Sequence, residues 1–320
     1  MSSPARPASW KIVGGFAIIY IVWGSTYLAI RVGVLEMPPF LMAGMRFTAA
    51  GLLMFAWMRA RGTPSLTWTE WRGATLLGFL MFLIDYACLF WAEQRIPSGI
   101  AAVILAMIPV CITLMEIIFL RTIRLTLRLA TGLAVGILGV AILMNPHSSM
   151  GEAPIDRRGA VALLVACCGW SVGTIVTKRL TLPSSKAMSA AAQMLTGGVQ
   201  LLLLSAIAGE FSQFHAAQIS GRAWFSLVYL IVAGSIVAFT AYVWLLYHTS
   251  PTKVGTYAYV NPVVAVILGA AIGGEAVGYR TILGALLILA GVAAITTAKG
   301  KQPAQAPTQS LDQPARAASR

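Results

Sequence analysis

Charge is scarce in this chain. Only 10% of its 320 residues are charged, where a soluble domain carries roughly a quarter, and 58% are hydrophobic, so most of its surface is not built for water. Acids are scarcer still, 10 Asp and Glu against 23 Lys and Arg, and they form no cluster with metal-ligand or prenyl-diphosphate spacing. The three histidines, His147, His215 and His248, fall in connections or at the end of an apolar run. Those shortages argue against an intramembrane enzyme, which needs a base with a nucleophile or a metal cluster inside the bilayer. The four cysteines, Cys88, Cys111, Cys167 and Cys168, lie within apolar runs at spacings that match no zinc pattern or disulfide framework. Adjacent Cys167 and Cys168 point different ways from one helix, and all four read as small packing residues. A Gly-rich P-loop is missing, which excludes ATP hydrolysis by this chain. The basic residues stand singly or in twos and threes with no basic face, which excludes nucleic acid as a partner. No cofactor and no metal is expected.

What the chain has in quantity is long apolar runs. A hydrocarbon core of about 30 Å needs about 20 apolar residues per helix. Ten runs can be laid down between Gly, Pro and charged breaks: 12–30, 40–58, 73–91, 99–120, 129–144, 159–177, 187–208, 223–246, 254–274 and 281–298. The first is too long and too aromatic, with Tyr20, Trp23 and Tyr27, for a secretory leader, so it is expected to be retained. The expected fold is an all-α membrane protein of ten transmembrane helices. Its connections are short, so neighbouring helices run antiparallel.

Charge then orients the helices. With the N-terminus inside, the cytoplasmic segments hold 16 Lys and Arg against 6 on the other side, and Arg46 is left within a span. That bias predicts cytoplasmic N- and C-termini and an even number of spans. The tail from Lys299 to Arg320, rich in Pro, Ala and Gln without an apolar face, is expected to be disordered.

An internal repeat changes what the helices mean. Trp23 and Arg31 match Trp170 and Lys178 at a separation of 147; Trp91 and Pro109 match Trp244 and Pro262 at 153; Gly132 and Gly139 match Gly284 and Gly291 at 152. Five spans per half is odd, so the second copy enters the membrane upside down. The expected organisation is an N-terminal segment 1–11, a first repeat 12–146, a linker 147–158, a second repeat 159–298 and a tail 299–320. Inverted repeats around a midplane site are the plan of secondary transporters working by alternating access.

Ionisable groups within a span cost about 2.5 to 3.5 kcal/mol each, so each needs a reason. Arg46 and Asp85 both lie six residues from the outer end of their span, about 9 Å deep at 1.5 Å per residue. They are expected to pair or to face one polar cavity. A structural bridge, a docking group for a substrate carboxylate at Arg46 and a proton-coupling acid at Asp85 are the alternatives. Glu116, near Arg121 and Arg124, reads as an interfacial residue. Tyr257 and Asn261 share a helix face, and Pro262 frees the carbonyl of Ala258. Trp23 with Tyr27, and Trp170 with Thr174, repeat that i, i+4 spacing. Aromatic rings at mid-depth stack on a ligand or hold its ammonium group; Trp91 and Trp244, at span ends, read as interface anchors. Gly132 with Gly136, and Gly269 with Gly273, permit close helix packing.

Several stretches resemble the drug/metabolite transporter superfamily, specifically its EamA-type members of ten spans and their YedA-like subgroup. They are Trp23-Gly24-Ser25-Thr26-Tyr27, Pro38-Pro39 with Met45-Arg46-Phe47, Pro97 to Ala102, Ser250-Pro251, Tyr257 to Val263, and Gly273-Gly274-Glu275. The resemblance covers about residues 14–297. It implies a bacterial inner-membrane carrier exporting small metabolites, amino acids and related amines or drugs, with proton coupling as one driving mode. Trp23, Thr26, Tyr27, Arg46, Asp85, Trp170, Thr174, Tyr257 and Asn261 are the candidate substrate or pathway residues, and Asp85 and Glu275 the candidates for coupling or gating. Such proteins carry an acid some thirteen residues after the proline of each half. Pro262 leads to Glu275 as expected, but Pro109 leads to Thr122, so the first half lacks its acid. A channel or an intramembrane enzyme is the alternative function.

Overall fold

The computed structural model describes residues 8–121, 123–144, 155–249 and 251–299. Thr122, His147, residues 147–154 of the expected linker and the expected tail beyond Lys299 lie outside the described residues. Among the described residues the chain is all-helical, with ten long helical segments and no strand. We number them α1 (Ser9–Val34), α2 (Pro39–Ala60), α3 (Trp68–Glu93), α4 (Ser98–Leu120), α5 (Leu127–Leu143), α6 (Arg157–Thr177), α7 (Lys186–Ile207), α8 (Gly221–His248), α9 (Tyr257–Ala271) and α10 (Tyr279–Lys299). Eight are long and apolar enough to cross a membrane; α5 and α9 are shorter apolar helices of 17 and 15 residues.

Their starts follow from local chemistry. Thr67 and Glu70 form a capping box at α3, and Thr126, Asp156, Ser185 and Ser220 accept backbone N–H groups at the first turns of α5, α6, α7 and α8. Pro39 opens α2, where a missing N–H costs nothing. The observed bounds fall within a few residues of the expected runs. One difference matters: α3 continues past Trp91 to Glu93, which is fully buried.

Helix pairing ties one half of the chain to the other. The closest partners are α2 with α7 and α5 with α10; α1 packs on α8 and α9, α6 packs on α3 and α4, and α4 meets α9. Exchanging the first five helices for the last five turns this set of pairs into itself. Small residues make the approach close. A Cβ on Gly51 would lie 2.5 Å from the backbone nitrogen of Leu195, one on Gly139 2.9 Å from the Gly284 carbonyl, and one on Gly291 2.6 Å from the Gly132 carbonyl. Gly132 is therefore a packing glycine as expected. Gly269 makes room for the carboxylate of Glu275 and the Ser98 hydroxyl at the start of α4 rather than for a neighbouring backbone.

Three helices carry a π-helical turn, Gly78–Ile84 in α3, Glu116–Leu120 at the end of α4 and Leu230–Val237 in α8. The two in α3 and α8 begin 152 positions apart, which is the spacing of the internal repeat. Such turns insert a residue into the helical ladder, redirect the side chains that follow, and gather at functional sites.

Three carboxylates secure one end of the bundle, which we call the vestibule end. Glu210 accepts the backbone N–H groups of Phe40 (3.3 Å) and Leu41 (2.7 Å) at the start of α2. Glu275 accepts those of Ser98 (2.7 Å) and Gly99 (3.1 Å) at the start of α4. Glu36 takes the backbone N–H and the hydroxyl of Ser220, each at 2.7 Å, ahead of α8. Each cap joins segments from opposite halves of the chain, satisfying helix N–H groups that would otherwise be orphaned.

Two outcomes follow. Gly291→Leu should force α5 and α10 apart and lower stability by about 1–3 kcal/mol, whereas Gly14→Leu, with open space at its Cβ, should be neutral; thermal unfolding in detergent micelles measures both. The Ser220 N–H and hydroxyl hold the exposed Glu36 carboxyl below its usual range, with Arg222 adding to the effect. A group whose folded pKa is depressed contributes above its unfolded pKa and loses that contribution as pH falls through the folded value. The difference in melting temperature between wild type and Glu36→Gln should therefore be present at neutral pH and vanish on acidification below the ordinary carboxylate range.

Candidate functional site

The π turns of α3 and α8 face a shared interior. In α8 main-chain carbonyls of the turn accept side-chain donors: Trp23 Nε1 donates to the Gly234 carbonyl at 3.0 Å, and the Ser235 hydroxyl donates to the Leu230 carbonyl at 2.9 Å. Ser235 Oγ in turn accepts from Arg46 Nε at 3.1 Å. Arg46 is 3% exposed, with its guanidinium carbon 4.6 Å from the Phe47 ring centre and 5.4 Å from that of Tyr86. Its Nη1 is buried without a hydrogen-bond partner. A cation held at one nitrogen and bare at another presents a docking point for an anion.

Asp85 follows directly on the π turn of α3 and is likewise 3% exposed. Its Oδ1 has no hydrogen-bond partner, and its neighbours in electrostatic range are Tyr27, Tyr86, Cys88 and Cys167. The expected ion pair between Arg46 and Asp85 does not form. Equal depth on two helices sets height but not direction, and the two side chains share Tyr27 and Tyr86 as neighbours without meeting each other. Cys111 touches both Cys167 and Cys168, so the last two, although they diverge, share a thiol partner on α4.

Aromatic rings build the walls in two sets. Trp23 lies 5.3 Å from Tyr242 and 5.0 Å from Tyr257, which joins α1, α8 and α9. Phe47, Phe82 and Tyr86 meet at 4.4 to 5.8 Å, and Tyr86 reaches Trp170 at 6.5 Å, which joins α2, α3 and α6. Tyr27 stands between the sets, within electrostatic range of Tyr86, Asp85, Glu93 and Tyr257. Asn261 is buried with its Oδ1 unpartnered. Thr26 and Thr174 are less available, because their hydroxyls donate to the Trp23 carbonyl (2.6 Å) and the Trp170 carbonyl (2.9 Å) of their own helices. Trp91, under the Arg95 guanidinium, and Trp244, stacked on His248, stay near the ends of their helices.

Sequence reasoning did not single out Tyr86, Tyr242, Ser235 or Glu93. The first three follow or sit within π turns, whose extra residue no periodic pattern announces. Glu93 fell two residues beyond the expected end of its run. It is 0% exposed, and neither carboxylate oxygen has a hydrogen-bond partner. Arg31, Arg46 and Glu275 are within its electrostatic range, and Arg31 Nη1 donates to its backbone carbonyl and to that of Ile96. Glu275 was a candidate for coupling, but both its oxygens are engaged by the helix start at Ser98. Above Glu93 opens a vestibule of about 360 Å³ lined by Leu28, Arg31, Glu36, Pro97, Arg222 and Glu275 among others.

Comparison with known proteins places this arrangement. The model of the EamA-like transporter family matches the chain twice, over residues 10–145 and 157–297. The inner membrane transporter YedA of Escherichia coli (strain K12) is 37% identical over 297 residues, covering 92% of this chain and 93% of that protein. A probable amino-acid metabolite efflux pump of Salmonella typhimurium (strain LT2) is 27% identical over 282 residues, covering 86% of this chain and 91% of the pump. A solved crystal structure with 22% identity shares the fold at a TM-score of 0.59, covering 93% of this chain and 100% of its own. A family model spanning nearly all of both halves and a relative of this identity lead to one conclusion: the chain belongs to the EamA-like transporter family of membrane transporters.

Proposed function

We propose that this protein is a secondary carrier of the bacterial inner membrane that exports small zwitterionic or cationic metabolites, amino acids and related amines or drugs, by alternating access. The observation that carries the reading is the pair of unsatisfied opposite charges in an aromatic chamber. Arg46 Nη1 and Asp85 Oδ1 are both buried and both without a hydrogen bond. A ligand carboxylate at Arg46 and a ligand ammonium at Asp85 would supply what each lacks, because buried charge is tolerated when it is paired. The rings of Trp23, Tyr242 and Tyr257 on one side and Phe47, Tyr86 and Trp170 on the other suit an apolar or aromatic body between those poles. The relative named as an amino-acid metabolite efflux pump agrees with that chemistry.

The architecture proposed with it is ten spans in two inverted five-helix repeats, 12–146 and 159–298, joined by a linker at 147–158. The family match to each half, the helix pairs preserved on exchanging the halves, and the π turns at the repeat spacing support it. With five spans per half the second copy would be inverted, and the 16 against 6 division of Lys and Arg supports both termini and the tails 1–11 and 299–320 lying in the cytoplasm, with the vestibule end in the periplasm. In the ligand-free carrier Asp85 faces no cation, so a proton takes the place of the ligand ammonium; export of one ligand then returns one proton. Glu275 acts as a clasp of the periplasmic end rather than as the coupling acid, because its oxygens are already filled by Ser98 and Gly99.

Counterflow separates a carrier from a channel. Purified protein in liposomes preloaded with unlabelled amino acids or cationic drugs should accelerate uptake of the same labelled compound; a panel without any stimulated exchange would remove the carrier reading. For the compound that exchanges, Arg46→Gln should weaken half-saturation by about 30-fold or more, as expected for loss of a buried charge contact of about 2 kcal/mol, while the protein stays monodisperse. Asp85→Asn should abolish the response of transport to a pH gradient, and an unchanged response would remove Asp85 from coupling.

A further inference from the structure

Resting on the reading of Asp85 as the coupling acid, we propose that Glu93 is a proton-binding relay through which the periplasmic vestibule communicates with Asp85. The two acids lie on the same helix eight residues apart, about 12 Å along its axis at 1.5 Å per residue. Asp85 is buried in the chamber, with no opening of its own to the vestibule lining. Glu93, itself buried and outside the vestibule lining, lies on that helix toward the vestibule end from Asp85. On its vestibule side stand Glu275 and Arg31, both of which line the 360 Å³ cavity; on its chamber side stand Arg46 and Tyr27. Tyr27 lies within electrostatic range of Glu93 and Asp85 alike, so one phenol belongs to the surroundings of both carboxyls.

The surroundings of Glu93 suit a group that gains and loses a proton. Both oxygens are buried and hydrogen-bonded to nothing, unlike those of Glu210 and Glu275, which are spent on helix starts. A structural carboxylate would be capped or paired, since burial of an isolated charge costs several kcal/mol. The charged groups around it are Arg31 from α1, Arg46 from α2 and Glu275 from the α9–α10 connection. Tyr27 is the remaining titratable neighbour, and α4 and α6 add none to that set. The step balances simply: Glu93 takes one proton from vestibule water, its O–H bond breaks as one proton passes by way of Tyr27 to the Asp85 carboxylate, and Glu93 is left ionised for the next.

The test needs no substrate, so its outcome is independent of counterflow. The full-length protein in lipid is subjected to a pH jump while the infrared carboxyl band missing from Asp85→Asn is followed. Glu93→Gln should slow protonation of Asp85 by at least about tenfold, and Glu93→Asp should recover part of the rate, as a relay by general acid–base transfer requires. An unchanged rate in Glu93→Gln, or a wild type whose Asp85 band does not titrate, would overturn the relay. Should Glu93→Gln fail to fold, labelling of wild type with dicyclohexylcarbodiimide, mapped by mass spectrometry, decides instead. Modification of Glu93 that falls as pH rises supports the proposal, and an unmodified Glu93 overturns it.

Discussion

The backbone contact of α2 with α7 is the constraint on which the interior depends. Gly51 lets α2 approach so closely that no side chain fits between it and Leu195, and the pair joins the first half of the chain to the second. In lipid the hydrophobic effect offers little to drive helix association, so such small-residue contacts carry the packing. With α2 fixed in this way, Arg46 cannot withdraw toward solvent, and its guanidinium must find what it needs inside. It finds Ser235 on one edge and rings on its faces, and it finds nothing at Nη1.

That partial satisfaction depends on the π turn of α8. There the Gly234 carbonyl receives Trp23 of α1, and Ser235, which donates to the Leu230 carbonyl, receives Arg46 of α2. The matching turn in α3 delivers Asp85 and Tyr86 to the same interior. Irregular backbone inside a bilayer is tolerated where protein or a water-filled cavity meets it. Its occurrence at one spacing in both halves couples the geometry of the chamber to the repeat itself, so a rocking motion of one half against the other would reshape both walls together.

Most of the fold was legible because long apolar runs, caps and charge bias act locally. All ten helical segments fall where the runs were read, and Gly132 of α5 was recognisable as a contact. The site was legible only in part. Arg46 and Asp85 stand out in any membrane sequence by the cost of burying them, but depth alone does not say which way a side chain faces, and the expected pair is absent. Tyr86, Tyr242 and Ser235 escaped because one inserted residue turns everything after it by about 100°, which a period of 3.6 does not foresee. Glu93 escaped for a simpler reason. An acid near the end of an apolar run reads as the place where water begins, and here protein covers it completely.

The contrast among the acids near the vestibule end carries the mechanism further than any one of them. Glu36, Glu210 and Glu275 each accept two hydrogen bonds from a helix start or its cap across the two halves. Glu93 sits among cations and receives no hydrogen bond at all. Three acids hold the end of the bundle together and a fourth is left free beside the chamber, so closing that end and loading a proton are assigned to different residues. The proton-coupled carrier proposed for this chain would need that separation: if one carboxylate both clasped the helices and carried the proton, every protonation would also loosen the gate on the side from which the proton came.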